Sequence, residues 1–242
     1  MPSNTEKSFA DRLGRARSMQ TKIAGFSPVF APVDPNIGPS AFESYCNGCE
    51  AANTAVSEGE SVYTTVTGDR STAADALKAI AGRVQDHVEG VAAWKKYLKS
   101  ITDASRAVRG VSTPPKKAAP PAVGAAPAKR ARSGGKSQQG YADIAKHFSK
   151  LVKAVGKITG YSAPDGTGLK LPELTAKEAA YLQLNSDVQD VESTLENAQT
   201  ARSNYYDGEG GLKEKMKAIK KAVSGQYGRG SDQAKSVGGI AL

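Results

Sequence analysis

Apolar residues recur along this chain at alternating spacings of three and four. That is the period of one buried face on an α-helix, and it predicts an all-α protein. From about Thr5 to Ala24 the apolar positions are Phe9, Leu13, Ala16, Met19 and Ile23, followed by Gly25. A stretch with four prolines, FSPVFAPVDPNIGP, then reads as an extended loop. Ser40 and Glu43 form an S-x-x-E capping box that opens a second helix. Its face is Phe42, Tyr45, Cys49, Ala52, Val56, Gly59, Tyr63 and Val66, and Gly68-Asp69 marks its expected end. A third helix, capped by Ser71 or Thr72, buries Leu77, Ile80, Val84, Val88, Val91, Trp94, Leu98 and Ile101. Gly82 and Gly90 are mild weak points in it.

The same plan then returns. Ile144, Phe148, Val152, Val155 and Ile158 line a helix that ends in Lys157-Ile-Thr-Gly-Tyr-Ser162, and Lys22-Ile-Ala-Gly-Phe-Ser27 stands 135 residues earlier. Thr175 and Glu178 repeat the capping box at the same offset. Tyr181, Leu184, Val188, Val191, Leu195, Ala198, Arg202 and Tyr205 match Phe42 through Val66 at an offset of 139, as Met216-Lys-Ala-Ile219 matches Leu77-Lys-Ala-Ile80. The change of offset is about one helical turn, so each face is kept. The expected architecture is two tandem three-helix repeats, residues 1–103 and 141–242. Gly225, Gly228 and Gly230 are expected to break the last long helix, with Ser231 capping a short final turn.

Between the repeats lies ASRAVRGVSTPPKKAAPPAVGAAPAKRARSGGKSQQG, residues 104–140. Rich in Pro, Ala and Gly, it has little to bury against the entropy of ordering it, so it reads as a disordered basic linker. It also relocates the charge. The net +9 divides into −1 for residues 1–103, +8 for 104–140 and +2 for 141–242, so the two repeats are nearly neutral.

Ser137–Val155 and the stretch from Ala201 to Ile240 resemble a group of uncharacterised bacterial all-helical tandem-repeat proteins of about this length. The first repeat's AFESYCNGCEAANTAV, with Tyr63 and Arg70 after it, carries the same resemblance. It implies a helical tandem architecture and brings no activity, cofactor or catalytic residue with it.

Candidate chemistry is sparse. Cys46-Asn-Gly-Cys49 has the C-x-x-C spacing of a redox pair. As a metal site it would need two more ligands, and His87 and His147 are the other candidates. Against both, Cys49 stands at the heptad position that Val188 fills in the second repeat, which favours packing. Gly208–Gly211 and Gly225–Gly230 do not match a phosphate-binding loop and read as a turn and a helix end. Tyr205-Tyr206 reads as packing rather than base stacking. Lysines recur on the polar faces of two helices, Lys146, Lys150, Lys153 and Lys157 on one and Lys213, Lys217, Lys220 and Lys221 on another. With Lys116, Lys117, Lys129, Arg130, Arg132 and Lys136 of the linker they are the candidate anion or nucleic-acid contacts, although Asp187, Asp190, Glu192 and Glu196 can balance a solvated helix face.

No apolar run is long enough to span a membrane and the N-terminus has no apolar signal region, so a cytoplasmic location is expected unless export is signal-independent. The expected function is a non-enzymatic structural or protein-interaction role without a cofactor, partnered by itself or another protein. The alternative is nucleic-acid binding or compaction through the linker and the lysine faces.

Overall fold

The computed structural model describes residues 4–111 and 140–242, and the side chains from residue 8 onward. The described residues form seven α-helices, two 3-10 turns and no strand. The helices are α1 (Asn4–Ala24), α2 (Pro39–Glu89), α3 (Leu98–Arg109), α4 (Tyr141–Gly156), α5 (Leu171–Asp207), α6 (Leu212–Tyr227) and α7 (Asp232–Gly238). The 3-10 turns are Pro35–Ile37 and Ala92–Tyr97. No described helix is long and apolar enough to cross a membrane. Of the expected linker, residues 112–139 lie outside the described residues, and with them Lys116, Lys117, Lys129, Arg130, Arg132 and Lys136.

Several helix boundaries differ from expectation, each for a local reason. Gly68-Asp69 does not end a helix, because α2 runs unbroken for 51 residues. One helical glycine costs about 1 kcal/mol, and the apolar register passes through it to buried Ala74, Leu77 and Ala81. The expected third helix instead breaks at Gly90-Val91, and the chain re-forms as the 3-10 turn with Trp94 buried. Residues 104–109, expected in the linker, complete α3, where Ser105 and Val108 are buried and the Ser105 hydroxyl donates to the Ala81 carbonyl at 2.7 Å.

Neither capping box forms where its pattern placed it. Pro39 is the first residue of α2, so Ser40 lies inside it, and the Gly38 carbonyl receives the Phe42 N–H at 2.8 Å. The Thr175 hydroxyl donates to the Leu171 carbonyl one turn back within α5, while Glu173 reaches back to accept the Lys170 N–H at 3.0 Å. α6 continues through Gly225 and stops at Gly228, whose φ of +88° suits glycine. Ser231 does cap α7, accepting the Ala234 N–H at 3.1 Å.

The chain forms two compact units whose boundaries fall inside α2 and α5. Unit 1 comprises residues 1–63 and 191–242, and unit 2 comprises residues 64–190. The core of unit 1 joins Ala16, Met19 and Ile23 of α1 and Phe42, Cys46 and Cys49 of α2 to Tyr206 of α5 and Leu212, Met216, Ile219 and Val223 of α6. Arg12 pins it by donating to both carboxylate oxygens of Asp207, at 2.8 and 3.1 Å, and to the Tyr206 carbonyl at 3.0 Å. The core of unit 2 joins Leu77, Ile80, Val84 and Val88 of α2 and Ile101 and Val108 of α3 to Ile144, Phe148, Leu151 and Val155 of α4 and Leu174 and Tyr181 of α5. α3 and α4, which flank residues 112–139, therefore pack in one core rather than in two separate ones.

Candidate anion site and the fate of the cysteines

The thiols come first, since C-x-x-C is the chemistry most legible in the chain. Cys46 and Cys49 lie three residues apart on the inward face of α2, both free and fully buried in unit 1. Burial in an apolar core disfavours a thiolate. It pushes the Cys46 thiol up to about 11 and, with Cys46 beside it, the Cys49 thiol up to about 12. Such thiols pack as small hydrophobes and are poor nucleophiles and ligands at neutral pH. Among the described residues no group of three His, Cys, Asp or Glu is placed to hold a metal ion.

The two histidines also take separate places, both in unit 2. His87 bonds the Ser162 carbonyl through Nε2 at 2.8 Å and packs edge-on against Trp94 and Tyr161. His147 projects from α4, and its buried Nδ1 has no hydrogen-bond partner in the protein. Tyr205 and Tyr206 divide their roles. Tyr206 is fully buried and accepts a hydrogen bond from Asn53 at 2.8 Å, while the partly exposed Tyr205 meets the Tyr45 ring edge-on at 5.6 Å. Gly208–Gly211 is the tight turn between α5 and α6. A Cβ on Gly208 would lie 2.6 Å from the Asn204 carbonyl oxygen, so the glycine serves close backbone approach rather than phosphate binding.

The lysine faces separate as well. Lys146, Lys150, Lys153 and Lys157 are exposed at α4 and its end, in unit 2. Lys213, Lys217 and Lys221 are exposed on α6 in unit 1, but Lys220 is partly buried and donates to the Gly238 and Ile240 carbonyls. Lys220 is thus largely a structural clamp on the chain after α7. Lys220, Lys221 and Arg229 border a shallow cavity of about 470 Å³ with Ser224 and Gly225.

A larger concavity of about 670 Å³ lies between α3 and α4 in unit 2. Lys96, Lys99, Ser100 and Asp103 line one side, with Ala104 and Ala107 below, and His147 and Lys150 line the other. Helical geometry explains the grouping. Residues 96, 99, 100, 103, 104 and 107 follow the three-and-four spacing, so they share one face beside the buried stripe of Ile101 and Val108. Tyr97 is anchored beside this face. Its phenol is held below its ordinary value, chiefly by hydrogen bonding to Thr159, with Lys96 adding to the effect. The Lys96 ammonium also lies 5.0 Å from the Tyr97 ring centre.

Of the described residues singled out in the sequence as anion contacts, Lys150 alone lines this concavity. Lys96 and Lys99 were missed because that stretch reads as an apolar stripe, although the run Lys95-Lys96 with Lys99 was visible beside it. Grouping the charge by unit sharpens the picture. Unit 1 has thirteen Lys and Arg and thirteen Asp and Glu, whereas unit 2, counted over the whole of residues 64–190, has twenty against eleven. Within unit 2, residues 92–158 alone have fifteen against two. The net positive charge of the chain therefore belongs to the stretch from the 3-10 turn before α3 to the end of α4.

No known protein family, curated protein or solved structure matches this chain.

Proposed function

We propose that this is a non-enzymatic structural or protein-interaction protein, built from two copies of one three-helix plan and able to assemble with itself. The observation that carries this reading is the make-up of the two cores. Unit 1 combines α1 and the start of α2 with α6, which on the two-copy reading is the third helix of the other copy. Unit 2 combines α4 and the start of α5 with the part of α2 and the α3 that follow Gly68, which on the same reading correspond to the third helix of the first copy. Matched positions are buried in both cores, Phe42 with Tyr181 and Leu77 with Met216. On this reading the copies exchange third helices within one chain. The same exchange between two chains would give a closed dimer by domain swapping. The buried thiols support a packing role for Cys46 and Cys49 over a redox one. Size-exclusion chromatography with light scattering from about 1 to about 200 µM, the span of ordinary weak-dimer affinities, tests the reading. A rise from monomer to dimer mass is expected, and a strict monomer that captures no partner overturns it.

A second reading, nucleic-acid binding, is favoured by the confinement of positive charge to residues 92–158. The expected signature is sequence-independent binding that weakens steeply with salt and is lost when residues 112–136 are deleted. Binding insensitive to salt excludes it.

A further inference from the structure

We propose that the concavity between α3 and α4 is a site for the phosphodiester backbone of nucleic acid, with Lys96, Lys99 and Lys150 as its cations and the Ser100 hydroxyl as a hydrogen-bonding group. The proposal rests on the nucleic-acid reading above and gives it a location on the folded body.

Three lysines from two chain segments converge on this concavity, and a single carboxylate, Asp103, faces them. No salt bridge among the described residues engages Lys99 or Lys150. Like charges around one hollow repel, and that repulsion is relieved when an anion enters. Ser100 adds a hydroxyl to the lining, across from His147. The Ser100 hydroxyl can donate to a phosphate oxygen.

The shape indicates which part of a nucleic acid would bind. Ala104 and Ala107 are the apolar residues of the lining, and among the described residues that line it there is no Phe, Tyr or Trp on which a base could stack. Recognition would therefore be of phosphate and independent of sequence. The same lining argues against a lipid surface, since the site offers no large side chain to insert between acyl chains. Residues 112–139 add six further Lys and Arg and no Asp or Glu to the chain between these two helices. The Lys220, Lys221 and Arg229 cavity is a weaker candidate, because unit 1 is neutral and Lys220 is held by backbone carbonyls.

The test uses the full chain and fluorescence anisotropy with a labelled DNA duplex of about 25 base pairs, titrated from about 50 to 200 mM salt. Three variants are compared with the wild type. One is Lys96→Gln/Lys99→Gln/Lys150→Gln. A matched control in unit 1 is Lys213→Gln/Lys217→Gln/Lys221→Gln. The third replaces the six Lys and Arg of residues 112–139 with Gln. Circular dichroism checks that each remains helical. Each lost phosphate contact flattens the log–log salt slope by about 0.9, so the first variant should lose about 3 from the slope and bind at least tenfold more weakly near 100 mM salt. The unit 1 control should keep the wild-type slope. If the first variant also keeps that slope while the third loses binding, this site is refuted and the nucleic-acid reading stands. If the wild type does not bind the duplex at about 50 mM salt, the reading itself fails and the site with it. Binding to vesicles containing phosphatidylserine but not to duplex would likewise overturn the proposal in favour of a lipid headgroup.

Discussion

Cutting the chain within residues 112–139 should leave the two pieces associated, because each core is shared between them. The piece ending before the cut supplies eight buried residues to the unit 1 core, from Ala16 to Cys49, and nine to the unit 2 core, from Ala74 to Val108. The piece after it supplies seven and ten, from Tyr206 to Val237 and from Ile144 to Tyr181. Separation would uncover all of these in part. At about 0.6 kcal/mol each, roughly a third of what fully burying a Leu or Phe is worth, they sum to on the order of 20 kcal/mol. Association costs about 10 kcal/mol in lost rigid-body freedom. The remainder corresponds to a dissociation constant well below micromolar. The assay is a protease recognition sequence inserted near Ala122, complete cleavage, then size exclusion with light scattering and circular dichroism. The expected product is one species of uncut mass with unchanged helicity. Two pieces that separate at about 10 µM, each keeping its helicity, would refute the reasoning, since each half would then hold a core of its own.

Other outcomes follow from single groups. The Tyr45, Tyr181 and Tyr206 phenols are pushed up to about 12, in each case first by burial, and the two thiols to about 11 and 12. The folded state holds these protons longer than the unfolded chain, so their contribution to stability is complete below the ordinary thiol value of 9.0 and is lost as the pH rises through 11 and 12. Urea midpoints should fall between about pH 8.5 and 10.5, and less steeply in Cys46→Ala/Cys49→Val; equal slopes would contradict burial of the thiols. Tyr206→Phe strands the Asn53 amide that donates to the phenol at 2.8 Å and should cost about 1–2 kcal/mol. In a double-mutant cycle with Asn53→Ala the coupling should be measurable, and additivity would remove the hydrogen bond from the account. Gly68 sits mid-helix with nothing within 4 Å of a Cβ built on it, so Gly68→Ala should stabilise by about 0.5–1 kcal/mol in thermal or urea unfolding. Destabilisation would mean that α2 bends or ends there.

Much of the inward face of the longer helices was legible in the chain, whereas Ser105 and Val108 of α3 and Ala234 and Val237 of α7 were not marked. The three-and-four spacing marked Phe42, Cys49, Tyr181, Val188, Leu77 and Ile219, and all are buried. Helix ends were less legible, because capping patterns and glycines act within one turn and compete with packing. Ser40-x-x-Glu43 yielded to Pro39 at the first helical position, and Gly68 yielded to a continuous apolar register. The candidate site was half visible. Lys150 stood out on a polar face, but Lys96 and Lys99 become its neighbours only when α3 packs on α4.

The sequence by itself therefore determined the helical class, most of the buried face of α1, α2 and α4 and the uneven distribution of charge. These are properties of neighbours three and four residues apart, or simple sums along the chain. Only the tertiary structure decided which helices share a core, that α2 and α5 each serve both units, and that α3 and α4 meet around a basic hollow. An apolar stripe states that a helix must be covered and is nearly indifferent to what covers it. The choice of partner depends on shape and volume matching between residues far apart in the chain, and no local period records it.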